Sequence, residues 1–281
     1  MEVKADHQED VESDSEALDI FADPEGYYPP SPKPTTETYT MLSGQVLTLR
    51  LVGHNPLWGH HLWQAGRIIS TYLEKNPSLV TSKTVLELGA GAGLPSLVCA
   101  VLGANKVVVT DYPDPDLISN LQLNIESLPP RPGSSSTYNI HAEGLVWGGD
   151  TSTVLHHVSS RQTIAPGLFL PCFDILILAD LLFNHSEHAK LVSTINETLT
   201  KIADAKALVF FTPYRPWFYE NDMAFFDLVR EAGMTVEMIL EEKMEKVMFD
   251  KDPGDEELRR TVFGYEVKWA ESATIKQMVS G

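Results

Sequence analysis

From residue 46 onward, apolar positions fall into short blocks whose period switches between two and about 3.6. Positions 46–52 alternate apolar and polar, the pattern of a half-buried strand. Positions 60–75 put Leu62, Ala65, Ile69 and Tyr72 on one face, which predicts a helix. Five short strands follow, each leading into a loop or helix: 85–88, 106–110, a weaker 138–143, 173–179 and 207–211. Helices are predicted between them at 94–103, 114–126, 186–203 and 220–232. Apolar strands that alternate with helices imply an α/β fold, a parallel sheet covered on both faces. After Gly233 two long strand-like runs, 235–248 and 261–269, flank the charged turn 250–255, so the sheet is expected to end in an antiparallel hairpin.

The ends break this pattern. The first 35 residues carry ten acids against Lys4 and Lys33 and close in a proline run that suits neither a helix nor an interior strand. They read as an acidic tail ahead of a domain at 36–270, with a second short tail at 271–281. One reading makes the leader disordered. The other has Leu18, Ile20, Phe21, Tyr27 and Tyr28 dock on the domain and help form a substrate groove. Positions 129–136, rich in proline and serine, are expected to form a surface loop.

Composition narrows the function classes. The chain of 281 residues has 21 Lys and Arg against 39 Asp and Glu, a formal charge of −18. Such a chain is a poor nucleic-acid binder, which needs clustered cations, and a better match for a basic partner. Cys99 and Cys172 both sit in apolar runs and are expected to be buried, reduced thiols. No run approaches the roughly 20 apolar residues of a membrane span, and no signal-peptide core stands at the start. A cytoplasmic or nuclear protein without membrane contact is therefore expected.

Glu87-Leu88-Gly89-Ala90-Gly91-Ala92-Gly93 joins the first of the five strands to a helix. Glycines there allow a sharp turn and close approach of a ligand at the carboxyl edge of the sheet. The spacing G-x-G-x-G lacks the third glycine of a dinucleotide fingerprint, since Leu94 stands in its place, and there is no phosphate-binding P-loop. Asp111 ends the next strand, 22 residues after Gly89, where a carboxylate can accept hydrogen bonds from both hydroxyls of a ribose or simply cap the following helix. Together these predict an adenosine carrying no phosphates, namely S-adenosylmethionine.

Residues 84–111 resemble motif I and the following acidic motif of class I seven-strand methyltransferases, whose Rossmann-like sheet also ends in an antiparallel hairpin. Leu62-Trp63-Gln64-Ala65-Gly66, Leu145-Val146-Trp147-Gly148, Asp180-Leu181-Leu182-Phe183 and Thr212-Pro213-Tyr214-Arg215-Pro216 together resemble the lysine methyltransferase family that modifies chaperones and translation factors. The stretches 51–63, 110–116 and 182–188, with Asp23-Pro24-Glu25-Gly26, narrow the resemblance to fungal N-terminal and lysine methyltransferases of elongation factor 1-alpha. The resemblance implies a protein N-methyltransferase acting on the N-terminal glycine and adjacent lysine of that factor, working as a monomer.

It also implies roles. Gly89, Ala90 and Gly91 would bracket the methionine end of the cofactor, Asp111 would hold the ribose, Trp147 would lie beside the adenine, and Glu87 would also belong to the cofactor-binding set. Ala179 would pass close to the cofactor with its backbone, and Trp58 and Trp63 would face the same pocket. Asp180 would accept an amine N–H, orient the lone pair and take its proton, with Phe183 lining the wall around the cationic product. The structural alternatives are core packing for the tryptophans and, for Asp180, a cap on the helix that follows. His54, His60, His61, His185 and His188 form no H-E-x-x-H, and no metal site is expected. A small-molecule N-methyltransferase acting on a nicotinamide-like amine and an inactive cofactor-binding scaffold are the competing functions.

Overall fold

Successive residues of a strand point to opposite faces of its sheet, and the core divides along that rule. Val85, Val107, Val109, Ile175, Ile177 and Leu208 join one apolar cluster, while Leu86, Leu88, Val108, Leu176, Leu178 and Val209 join another. A sheet apolar on both faces must be covered on both. The computed structural model describes residues 32–130, 137–158 and 172–271.

In chain order the elements are β1 (Thr35–Thr40), β2 (Val46–Leu51), α1 (Gln64–Lys75), β3 (Thr84–Leu88), α2 (Leu94–Val101), β4 (Lys106–Asp111), α3 (Pro115–Glu126), β5 (Ile140–Gly144) and α4 (Ser152–His156). They continue as β6 (Ile175–Ala179), α5 (His188–Thr198), β7 (Lys206–Phe211), α6 (Tyr219–Glu231), β8 (Met234–Lys243), α7 (Glu256–Arg259) and β9 (Thr261–Trp269). Seven strands make one sheet in the order β5-β4-β3-β6-β7-β9-β8. The first five are parallel, and β9 pairs antiparallel with both β7 and β8. Buried residues of α1 and α2 pack on one face, and those of α4, α5 and α6 on the other.

The chain runs outward from β3 through β4 to β5, then returns to place β6 on the other side of β3. The two halves of the fold therefore part between β3 and β6, the kind of position where open α/β sheets bind ligands at their carboxyl edge. Leu88 pairs with Leu178, so the glycine loop and the Ala179-Asp180 turn leave the sheet side by side.

Several expectations change. β1 and β2 form a separate antiparallel hairpin; β1 was not anticipated because its sequence, TTETYT, buries only Tyr39. The helix expected over 60–75 begins at Gln64. Asn55 winds the preceding residues into turns, its Oδ1 accepting the Leu57 N–H at 2.8 Å. The helix expected over 186–203 is α5 preceded by a 3-10 turn, and β8 is shorter than 235–248 because its register with β9 ends at Lys243. Cys99 is buried, but Cys172 is only half-buried, since it lies ahead of β6 rather than in the sheet. The apolar residues expected to dock from the acidic leader lie outside the described residues, as does most of the tail at 271–281. No helix among the described residues is long and apolar enough to cross a membrane.

Candidate active site

The carboxyl edge of the sheet carries two adjoining pieces of chemistry. The first is the glycine loop. Gly89, Gly91 and Gly93 all have positive φ, at 57°, 57° and 76°. At Gly89 the requirement is also steric, because a Cβ there would lie 2.6 Å from Leu181 Cδ2 and 3.0 Å from Trp147 Cζ2. At Gly91 the space is open, the nearest atom to such a Cβ being Gly59 Cα at 4.0 Å. The Ala90 N–H donates to the Thr110 carbonyl at 2.9 Å, which ties the loop to β4.

Asp111 is buried at the end of β4. Its Oδ2 accepts the Gly91 N–H and its Oδ1 the Tyr112 N–H, each at 2.7 Å. Burial raises its pKa above the usual carboxylate value, and the two amide donors offset part of that rise. A carboxylate has about four lone-pair sites, so acceptor capacity remains for a diol. Between residues 84 and 111 the only cation is Lys106, at the opposite end of β4, so the loop itself brings no cation for a pyrophosphate. Open space at Gly91, spare acceptor capacity on Asp111 and a flat indole against Gly89 fit a phosphate-free nucleoside. Gly89, Ala90 and Gly91 would hold its amino-acid end, Asp111 its ribose and Trp147 its base.

Glu87 lies in β3, two residues before Gly89. It is 1% exposed, and its Oε2 accepts the Ser96 N–H at 2.8 Å inside the protein. Burial pushes its carboxyl up to about 8. It braces the start of α2.

The second piece is a cavity of about 320 Å³ lined by Trp58, Trp63, Phe183, Phe211, Tyr214 and Phe249, with Asp180 among them. The rings form a connected wall. Trp63 lies 5.1 Å from Tyr214, 5.8 Å from Phe249 and 6.4 Å from Trp58 between centroids. Asp180 follows β6 with φ 55°, and Trp58 has φ 64°. Two of the three non-glycine residues with positive φ among the described residues thus line this one cavity. Such conformations cost energy and concentrate at functional sites.

Asp180 is 7% exposed, yet it touches the cavity. Its Oδ2 accepts the Ala65 N–H at 2.9 Å and the more distant Tyr214 hydroxyl at 3.5 Å; its Oδ1 accepts the Thr212 N–H at 2.7 Å. Burial raises the carboxyl from its usual range to about 7, even against these three donors. The chain after Asp180 forms turns rather than a helix, so the expected capping alternative fails in that form. Asp180 instead caps α1, whose own N-cap residue, Trp63, provides no side-chain cap. An uncapped helix start is a ready anion site, and here the anion comes from β6.

The structure groups Trp58 and Trp63 with Asp180 and Phe183 in this cavity, which no residue of the glycine loop lines. The later start of α1 leaves Trp63 at the helix N-cap, in the wall of the cavity that also holds Asp180. Ala179 is partly exposed where β6 leaves the sheet, between the two pieces. Phe183 is 41% exposed, and its carbonyl accepts a hydrogen bond from Arg215 Nη2. Sequence reasoning missed Tyr214, Phe249 and Thr212 as site residues. The block containing Thr212 and Tyr214 had been noted without a role; it follows β7 as Asp180 follows β6. Phe249 lies in the β8–β9 connection, where its one signal is an aromatic residue beside a charged turn.

Comparison with known proteins identifies the family and the fold. Residues 43–232 match the family model described as lysine methyltransferase. The chain is 54% identical over 262 residues to the protein N-terminal and lysine N-methyltransferase efm7 of Neurospora crassa, a match covering 93% of this chain and 91% of that protein. It is 41% identical to the Schizosaccharomyces pombe protein of the same name, across 92% of this chain and 97% of that one. Among solved structures, SMU.776, described as a candidate methyltransferase complexed with SAH, superposes with a TM-score of 0.51 at 13% identity, covering 84% of this chain and 56% of that one.

Proposed function

The chain belongs to the lysine methyltransferase family, and from that premise we propose that it is an S-adenosylmethionine-dependent protein N-methyltransferase acting on the N-terminal glycine and adjacent lysine of elongation factor 1-alpha. The printed names of its relatives support a protein amine as acceptor. The observation that carries the reading is the buried Asp180 carboxylate at an aromatic-walled cavity next to the glycine loop.

The cofactor, when bound, supplies an activated methyl group; this chain's residues must prepare the nucleophile. An amine attacks only when unprotonated. A free α-amine has a pKa of about 8 and a lysine about 10.4, so deprotonation at neutral pH costs about 1 and about 4.5 kcal/mol. Asp180 accepts an N–H from the amine, aims its lone pair and carries the released proton toward water. The amides of Ala65 and Thr212 hold that carboxylate in one orientation. The faces of Trp63, Tyr214 and Phe249, with Phe183 at the opening, favour a cationic head group and exclude water from it. The protein works as a monomer in the cytoplasm, where a translation factor is met.

Incubation with labelled S-adenosylmethionine and either elongation factor 1-alpha or nicotinamide tests the proposal. Label on the N-terminal glycine and adjacent lysine, read by peptide mass spectrometry, is expected. Label on nicotinamide with none on the protein would overturn it.

A further inference from the structure

The cavity has a second carboxylate that the reaction does not use. Asp252 lies on the connection between β8 and β9 and is exposed where that connection lines the cavity. The connection is anchored over the site from several sides. Gln64 Nε2 donates to the Lys246 carbonyl at 3.1 Å, and Arg259 Nη1 donates to the Phe249 carbonyl at 2.9 Å. The Phe249 ring packs edge-on against His61 and Trp63, at 5.4 and 5.8 Å. The Asp252 N–H donates to the Phe249 carbonyl at 3.3 Å, which ties the acid to the ring beside it.

The charges on the cavity wall differ in availability. Among the described residues Arg215 is the only cation lining it, and its guanidinium is engaged by the Phe183 carbonyl and lies 5.1 Å from the Phe218 ring. Asp180 is buried and held by three donors. Asp252 stands at the rim, facing water. One acid is thus placed to handle a neutral amine at depth, and the other to meet a charged group at the mouth.

We propose that Asp252 determines specificity by pairing with the cationic side chain next to the amine being methylated, so that the enzyme selects an N-terminus followed by a basic residue. This assignment rests on the proposed protein-amine acceptor. While the α-amine lies neutral at Asp180, the neighbouring lysine remains an ammonium and meets Asp252. When the lysine enters instead, the α-amine takes the rim position. A single rim carboxylate therefore serves both acceptors.

The test compares two peptides that begin with glycine and differ only in lysine or glutamine at position two, using full-length wild type, Asp252→Asn and Asp252→Lys. A rim ion pair contributes up to a factor of about five. Asp252→Asn is expected to raise KM for the lysine peptide about fivefold, leave KM for the glutamine peptide within about twofold, and leave kcat unchanged for both. Asp252→Lys is expected to reverse the preference. Equal KM changes on both peptides would mark a merely structural role and overturn the assignment, as would no change on either. Wild type that methylates neither peptide while binding S-adenosylmethionine would overturn the protein-amine reading and the assignment together; an active wild type with an indifferent Asp252→Asn overturns the assignment alone.

Discussion

Asp180 draws its chemistry from a conflict between burial and hydrogen bonding. Burial drives its carboxyl to about 7, although the Ala65 and Thr212 amides favour the charged form. Folded, this acid holds its proton more tightly than unfolded, so its stabilising contribution is full below about 4 and is lost as pH rises through about 7. Glu87, raised to about 8, acts in the same direction. Thermal melts should therefore show stability falling from about pH 4 to about pH 8 while methyl transfer rises through an inflection near 7. The glycines supply a second contrast. Gly89→Ala must place a Cβ against Leu181 and Trp147 as well as hold positive φ, whereas Gly91→Ala bears only the backbone cost of about 1–2 kcal/mol. Gly89→Ala should melt several degrees below Gly91→Ala, and calorimetry should find both weakened for S-adenosylmethionine. Sequence spacing alone brought out the glycine turn and the acid that meets it, Asp111 accepting the Gly91 N–H. It did not show that Glu87 turns inward to Ser96, because spacing carries no signal of which way a strand-end carboxylate points.

Single side chains join separate elements, as Asn124 on α3 does. Its Oδ1 accepts the Arg50 N–H at 2.7 Å, while its Nδ2 donates to the carbonyls of Arg50 and Ala92, each at 2.9 Å. It thereby fixes the β1–β2 hairpin and the glycine loop to one helix. Asn124→Ala strands the Arg50 N–H and the Ala92 carbonyl, while the Arg50 carbonyl keeps the Asn120 Nδ2 donor at 2.9 Å; it should cost about 2 kcal/mol, roughly 4–8 °C in melting temperature, with a parallel loss of cofactor affinity. None of this is legible in the sequence, where Asn124 is one polar residue of an amphipathic helix. What was legible followed burial. β3, β4, β6 and β7 read clearly because both their faces are covered, and β5 read weakly because its burial is confined to Ile140. The hairpin strand β1, mostly exposed, gave no apolar period. The start of α1 was misread because its cap comes from Asp180, 115 residues away.

At the scale of the whole molecule, strand order is what assembles the site. Placing β6 beside β3 brings Asp180 next to the glycine loop, and placing β7 beside β6 adds Thr212 and Tyr214. The β8–β9 connection then closes one wall with Phe249. The overall charge of −18 favours encounter with a basic peptide. Raising salt from about 50 to about 300 mM should therefore raise KM for the substrate several-fold while kcat stays level. The central claim is that one sheet edge holds two separable functions, cofactor capture at the glycine loop and amine handling at Asp180. Single-turnover methyl transfer by Asp180→Asn, saturated with S-adenosylmethionine, tests it most directly. The account predicts a rate at least about a hundredfold below wild type with the cofactor dissociation constant unchanged; a rate within twofold of wild type would contradict it.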